Sequence, residues 1–266
     1  MREMFENQPT FVATEKDIRY YAKVYTYPDG AQDIVAASAP IFKAEGWEER
    51  QRPQATKPKT EPPEEGTEEA ARRAAESQQR SMRRARARVR RLALSNEFRW
   101  FVTLTLDQTK VDRYDMGQIV RRLNVWCSNM VQRQGLQYIL VPERHKDGAI
   151  HFHGFFNDCV SAVDSGHKDK KGHTVYNLPQ WDLGFTTAIE LYGEYRKAVA
   201  YVCKYIGKQG EKPAGRWYYS GGGLREPKTD LADISAGELL EEYGDRAWAL
   251  ELPGRLIAGV NGVNDE

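Results

Sequence analysis

The sequence predicts an α+β protein with a central antiparallel β-sheet and flanking helices. Runs of β-branched and aromatic residues at 98–107, 136–142 and 149–156 are typical of strands. Apolar residues recur at helical spacing over 116–134 and 194–207, which indicates two amphipathic helices that pack on the sheet.

Charge is distributed unevenly along the 266 residues. The net charge is +1, yet residues 72–91 contain nine arginines against the single acid Glu76, so this segment carries +8 and the remainder −7. A basic block on a mildly acidic body predicts a polyanionic partner. Because alanine and arginine favour helices and neither proline nor glycine interrupts the block, a helix is predicted from Glu68 to Ser95.

Arginines along one helix repel each other unless anions or acidic side chains neutralise them. Nucleic-acid phosphate is the favoured partner, and a helix face that is merely solvated is the alternative. The residues predicted to bind DNA are Arg83, Arg84, Arg86, Arg88, Arg90 and Arg91.

Cysteine content and hydropathy exclude several protein classes. The three cysteines show no C-x-x-C spacing, which predicts reduced thiols in a cytoplasmic protein rather than a disulfide framework. No apolar run approaches the roughly 18 residues of a membrane span, and the N-terminal residues lack the apolar core of a signal peptide. The sequence therefore predicts a protein without a membrane partner.

Five segments are predicted along the chain. They are a β-rich N-terminal segment (1–47), a flexible linker (48–69), an arginine-rich helix (70–97), a core (98–229) and a C-terminal segment (230–266). The linker contains hardly any apolar side chain, so it cannot offset its ordering entropy by burial.

Shorter elements are predicted within these segments. Residues 19–37 resemble a hairpin around a Pro-Asp-Gly turn. The polar stretch 157–180 is predicted as a loop, with His167 and His173 as loop residues rather than ligands. A capping box at Ser235-x-x-Glu238 predicts a short helix, followed by a strand over 247–252, and both are expected to complete or buttress the core.

Two of the five histidines, His151 and His153, stand two positions apart in the apolar run 148–156. Because residues i and i+2 of a strand point to the same side of a sheet, both imidazoles can bind one ion. Two half-buried histidines on an ordinary strand are the equally weighted alternative. A turn at Lys146-Asp147-Gly148 makes an antiparallel hairpin, which brings Glu143 beside both histidines. Such a donor set leaves coordination positions for water or phosphate.

The helix at 194–207 carries Tyr201, Lys204, Tyr205 and Lys208 on one face, and Gly207 is expected to end it. Alone, this pattern would indicate only an amphipathic helix. The strand at 98–107 places Thr103 and Thr105 on one face, with its aliphatic residues on the other.

Three ordered motifs resemble those of the HUH endonucleases, and within them the rolling-circle replication initiators of phages and plasmids. They are Phe101-Val-Thr-Leu-Thr-Leu-Asp107, Ile150-His151-Phe152-His153-Gly154-Phe155 and Ala200-Tyr201-Val-Cys-Lys204-Tyr205-Ile-Gly-Lys208. The likeness spans roughly residues 95–210, and the arginine helix and residues 216–224 add less specific similarity. It implies the ferredoxin-like or RRM-like HUH fold, and metal-dependent nicking and joining of single-stranded DNA.

The resemblance also implies roles for individual residues. Glu143, His151 and His153 are expected to bind a divalent cation, Mg²⁺ or Mn²⁺. Tyr201 is expected to attack the phosphodiester, giving a 5′-phosphotyrosine and a free 3′-OH. Lys204 is expected to lower the pKa of that tyrosine or to stabilise charge on the phosphate. Tyr205 is either a second nucleophile or a packing residue.

The implied partners are single-stranded DNA and an origin duplex or hairpin, in the cytoplasm of a bacterial host. Because the sequence contains no G-x-x-x-x-G-K-[ST] motif, strand separation is expected to require a host helicase, and a host polymerase would extend the 3′-OH. Two alternatives remain: a non-catalytic nucleic-acid-binding protein with structural histidines, and an HUH transposase or relaxase with the same chemistry. The sequence predicts no oligomeric state.

Overall fold

The computed structural model describes residues 18–43, 66–191, 193, 195–208, 210, 212–252 and 254–263. They fall into two compact units, which we call the core unit (within Pro63–Pro227) and the terminal unit (before Pro63 and from Lys228 onward). Most of the predicted linker, and residues 1–17 of the predicted N-terminal segment, lie outside the described residues.

The described ranges contain four α-helices, twelve strands and one short 3-10 helix, Gly244–Arg246. The helices are α1 (Glu68–Leu94), α2 (Met116–Gln134), α3 (Tyr195–Tyr205) and α4 (Ala236–Tyr243). The strands are β1 (Ile18–Thr26), β2 (Gln32–Lys43), β3 (Trp100–Leu106), β4 (Tyr138–Arg144), β5 (Ile150–Phe156), β6 (Val163–Lys168), β7 (Thr174–Asn177), β8 (Gly184–Glu190), β9 (Tyr219–Gly221), β10 (Lys228–Ala232), β11 (Trp248–Leu252) and β12 (Arg255–Val263).

The core unit is built on an antiparallel sheet that has, among its described residues, seven strands in the order β6-β7-β8-β3-β5-β4-β9. The predicted α+β class with a central antiparallel sheet is therefore confirmed. The alternation predicted for β3 is also present, since Val102, Leu104 and Leu106 are buried on one face of the sheet while its threonines lie on the other.

Helix α2 covers the aliphatic face of the core sheet. Its residues Ile119, Leu123 and Met130 are buried in one cluster with the side chains of β3 and β5. The helix begins after Asp115, whose carboxylate accepts a hydrogen bond from the Gln118 amide, and it ends at Gly135 in the left-handed conformation. Its bounds are those predicted from the sequence.

Helices α1 and α3 pack against each other, and α3 packs on β4 and β5 across the other face of the sheet. The predicted arginine-rich helix is confirmed as α1, and it buries Ala85, Val89 and Leu92. The Tyr195 hydroxyl at the start of α3 donates to the Ala93 carbonyl over 2.6 Å. Helix α1 is thus packed into the core unit along one side.

The C-terminal end of α3 is fixed by α1. Gly207 has a φ of +75°, and a Cβ at this position would lie 1.9 Å from the Met82 sulfur, so only glycine fits. Arg86 Nε donates to the Ile206 carbonyl over 2.9 Å. These contacts set where the helix that carries both tyrosines stops.

The predicted loop over 157–180 is wrong, because this stretch contains the hairpin of β6 and β7 at the edge of the core sheet. Both strands are largely polar and exposed, so they lack the alternation that marks a strand in sequence. Pairing with β8 supplies backbone partners that sequence cannot reveal. His167 lies in β6, and His173 Nδ1 is 3.0 Å from Asp169 Oδ2.

The terminal unit forms a second antiparallel sheet, with the order β10-β1-β2-β12-β11 in the part that the structure describes. Helix α4 packs on it, and its predicted capping box between Ser235 and Glu238 is present. The predicted hairpin is β1–β2, and the predicted strand over 247–252 is β11. The N-terminal and C-terminal segments, treated separately in the sequence, therefore share one sheet and one core.

Candidate active site

The candidate site lies on the face of the core sheet that α3 crosses. Strand register places Glu143 of β4 opposite His151 of β5, and His151 opposite Thr105 of β3. His153 lies opposite Thr103 in the next same-facing row. The hairpin from 138 to 156 therefore brings the predicted carboxylate and both histidines together, and β3 adds two hydroxyls.

Glu143 is the most strongly contacted residue of the site. Its Oε2 lies 2.8 Å from His153 Nε2, and its Oε1 accepts a hydrogen bond from Lys208 Nζ over 2.6 Å. On the far side of the imidazole, Thr103 Oγ1 lies 3.0 Å from His153 Nδ1. A neutral His153 that donates from Nε2 and accepts at Nδ1 satisfies both contacts.

The two histidines are held differently. His151 Nδ1 lies 3.4 Å from Thr105 Oγ1, and its ring stacks on His145 with centroids 5.0 Å apart. Burial lowers the pKa of both site histidines, and the proximity of His145 adds to this for His151. A lowered pKa favours the neutral imidazole near pH 7, which is the form that binds a cation.

No three His, Cys, Asp or Glu side chains within the described ranges form a preformed ion-binding cluster. The donor chemistry nevertheless fits a divalent cation, because two imidazoles and one carboxylate project from neighbouring strands. Glu143 and His153 direct at each other the atoms that would bind the ion, and Lys208 neutralises the second carboxylate oxygen.

Both tyrosines of α3 stand at this site. The Tyr205 ring stacks on His153 with centroids 4.2 Å apart and an interplanar angle of 11°. Its hydroxyl lies 2.6 Å from that of Tyr201, which packs edge-on against Phe101 and is 48% exposed. Burial, together with the hydrogen bond to Tyr201, raises the pKa of Tyr205 well above its usual value.

The lysine that reaches the carboxylate is Lys208 rather than the predicted Lys204, which is exposed on α3. The Lys208 ammonium also lies 5.3 Å from the centroid of the Tyr205 ring. Its hydrogen bond to Glu143 raises the pKa of Lys208. The sequence placed both lysines on one helical face, but the choice between them depends on how the chain turns after α3.

Two residues near the site were missed in the sequence. His145 follows Glu143 by two positions, which is strand spacing and was an available signal. Arg113 has no such signal, because it comes from the segment before α2, where its carbonyl accepts a hydrogen bond from the Ile150 amide.

The arginines predicted to bind DNA fall into groups. Arg83 and Arg84 are exposed, and Arg90 and Arg91 are partly buried. Arg86 is bonded to the end of α3, and Arg88 forms an ion pair with Glu226. At least two of the six predicted residues therefore have a structural contact within the core unit.

Comparison with known proteins gives one match. Residues 99–210 match the family model of the replication-associated proteins of the ORF2 type, which is less than half of the chain. The matched range runs from β3 past α3 and includes the histidines and both tyrosines, and it indicates a role in DNA replication. No curated protein and no solved structure matches the chain. None of the described helices is long and apolar enough to cross a membrane.

Proposed function

We propose that this protein is a replication initiator that nicks and rejoins single-stranded origin DNA through a covalent 5′-phosphotyrosine. The main support is the packing of Tyr205 on His153, which brings two phenols beside an imidazole–carboxylate pair. The match to a replication-associated family supports the biological setting.

Glu143, His151 and His153 would hold a divalent cation, Mg²⁺ or Mn²⁺. When bound, such an ion polarises a phosphodiester and neutralises the charge that develops on it. Thr103 and Thr105 would orient the two imidazoles through their Nδ1 atoms, which leaves Nε2 directed toward the site.

Tyr201 is the attacking residue in this proposal, because its exposed hydroxyl is open to an incoming phosphate. Its oxygen forms the bond to phosphorus while the bond to the 3′ oxygen breaks, and that oxygen takes up a proton to become the 3′-OH. Because its pKa is raised, Tyr205 stays protonated and donates a hydrogen bond to the phenolate that forms at Tyr201. The alternative role of Tyr205 as a second nucleophile uses the same hydroxyl pair.

The lysines and arginines would serve the phosphates. Lys204 is exposed near Tyr201 and would stabilise charge on the phosphate, whereas Lys208 orients Glu143. Arg83 and Arg84 would contact an origin duplex or hairpin through its backbone. A host helicase and polymerase would complete the reaction sequence.

The proposal is tested with a 3′-labelled single-stranded origin oligonucleotide, Mn²⁺ and a denaturing gel. The label identifies a 5′-phosphotyrosine, because the protein then stays attached to the 3′ fragment. We expect an adduct that is lost in the Tyr201→Phe, Tyr205→Phe double variant and retained in Tyr176→Phe. Tyr176 packs on the opposite, α2-covered side of the sheet. An undiminished adduct in the double variant would overturn the nucleophile assignment.

A non-catalytic DNA-binding role is the second candidate. It is favoured by one observation, since Glu143 already has two partners, His153 and Lys208, without a metal ion. DNA binding with no adduct at any Mn²⁺ concentration would support it. A transposase or relaxase would instead give the adduct at a nick site outside a replication origin, which nick mapping in a host replicon distinguishes.

A further inference from the structure

Phe185 is an aromatic residue exposed on the same sheet face as the histidines. It is 66% exposed, more than any other large hydrophobic side chain that the structure describes. Strand register places it opposite Thr105, which in turn lies opposite His151. With neighbouring strands about 4.8 Å apart, the Phe185 backbone lies roughly 10 Å from that of His151.

The backbone around Phe185 is held tightly. Gly184 lies so close to β3 that a Cβ would be 2.1 Å from the Thr105 carbonyl oxygen, so the two strands fit in this register only with glycine. The same carbonyl accepts a hydrogen bond from Trp181 Nε1 over 3.1 Å, and the Asp107 amide donates to the Leu183 carbonyl over 2.9 Å. The ring is therefore presented by a fixed strand rather than by a loop.

The surroundings of Phe185 are polar and partly cationic. Its same-face neighbours on β8 and β3 are Thr187, Thr103 and Thr105, so the ring does not belong to a larger apolar patch. Lys110 Nζ lies 3.0 Å from the Asp182 carbonyl, just before β8 begins. An isolated aromatic face flanked by hydroxyls and a cation suits a base and its phosphate better than it suits a protein surface.

We propose that Phe185 is a stacking platform for one base of the single-stranded DNA that enters the candidate site. This inference rests on the proposed function and adds a position for the substrate strand, which would cross the sheet from β8 toward β5. Because every base has a π face, the contact favours single-stranded over duplex DNA without selecting a sequence.

The first test measures the affinity of a short fluorescein-labelled oligothymidylate by anisotropy, with the Tyr201→Phe, Tyr205→Phe background preventing cleavage. We expect Phe185→Ala to weaken binding roughly tenfold, the size of one base–aromatic stack, and Phe185→Trp to retain it. Val125→Ala is the matched control, since Val125 is 61% exposed on α2 and should leave binding unchanged. Equal affinities of the Phe185→Ala variant and its parent would overturn the inference.

The second test uses an oligonucleotide whose nick position has been mapped with the wild-type protein, with an abasic site placed at each position in turn. One abasic position should weaken binding of the parent as much as Phe185→Ala does, and should have no further effect in the Phe185→Ala variant. Fully additive losses at every position would overturn the stacking contact. So would sedimentation showing a dimer that Phe185→Ala dissociates, because a second copy of the chain would then cover the ring.

The two proposals fail separately. If the wild-type protein forms no adduct with DNA, the proposed nicking activity is wrong whatever the anisotropy shows. If the adduct forms but neither test detects a contribution from Phe185, the platform is wrong and the nicking activity stands.

Discussion

His153 is contacted on three sides, by Glu143, Thr103 and Tyr205. His151 has a longer contact to Thr105 and a stacked partner in His145. The H-x-H spacing makes these two imidazoles look equivalent in sequence, yet the structure holds one more firmly than the other. The difference comes from α3, which lies over β5 and brings Tyr205 onto His153.

Replacing Thr103 with valine should lower the rate of adduct formation about 10- to 100-fold, the usual effect of removing a group that orients a metal-binding histidine. The change keeps the shape of the side chain and removes the contact to His153 Nδ1. Thr187→Val is the control, because Thr187 occupies the same row one strand further out. Equal losses in both variants, measured in single turnover, would contradict the orienting role.

Gly154→Ala should destabilise the protein by about 3 kcal/mol or more, since a Cβ would lie 1.8 Å from the Ile139 carbonyl oxygen within the sheet. Urea unfolding measures this effect. Gly172→Ala is the comparison: Gly172 has a φ of +86° but open space around it, so strain alone should cost about 1 kcal/mol. A Gly154→Ala variant as stable as Gly172→Ala would show that β4 and β5 can separate locally.

At the scale of elements, the sequence predicted best where local chemistry is complete. Helix α2 has an aspartate cap, an apolar stripe and a left-handed glycine at its end, and its bounds were predicted without error. The β4–β5 hairpin likewise carries its own turn, which is why the Glu143–histidine pairing followed from sequence. Such elements need no information from distant parts of the chain.

Elements that depend on distant partners were predicted less well. The polar strands β6 and β7 gain their backbone partners from β8, and β10 and β12 gain theirs from the N-terminal hairpin. The choice of Lys208 over Lys204 is of the same kind, because it depends on α1 fixing the end of α3. No local pattern encodes these pairings.

Helix α1 should combine two functions that mutation can separate. The Arg83→Gln, Arg84→Gln double variant should bind DNA more weakly and reduce the slope of log affinity against log salt by roughly 1 to 2, with unchanged stability. Arg86→Gln should instead lower stability by about 1.5 to 3 kcal/mol, because it removes a charged hydrogen bond to Ile206. Salt titrations and urea unfolding distinguish the two, and a reversed pattern would contradict this division.

At the scale of the molecule, the two sheets have separate cores, one around β3, β5 and α2 and the other around β2, β12 and α4. A polypeptide of residues 63–227 should therefore fold alone and unfold cooperatively, since the described strands of the core unit pair only with one another. Circular dichroism during thermal unfolding tests this expectation. A non-cooperative transition would show that the core unit needs the terminal unit.

Stability should fall in alkali. Burial raises the pKa of the Cys127 thiol to about 12 and that of Cys203 to about 11, from an ordinary value of 9.0. Because the unfolded chain releases these protons first, their contribution to stability is complete below pH 9 and is lost as pH rises toward 11 or 12. Urea midpoints at pH 8 and pH 10 should differ less in Cys127→Ala than in wild type. An identical decline would assign the alkaline effect to other groups.

The order of strands in the terminal unit has a consequence for biosynthesis. The β1–β2 hairpin leaves the ribosome first, but its sheet neighbours β10 and β12 follow only after the whole core unit. Both outer edges of the hairpin therefore stay unpaired throughout the translation of nearly two hundred residues. Unpaired edges promote aggregation, so chains that stop prematurely within the core unit should depend on chaperones far more than finished ones.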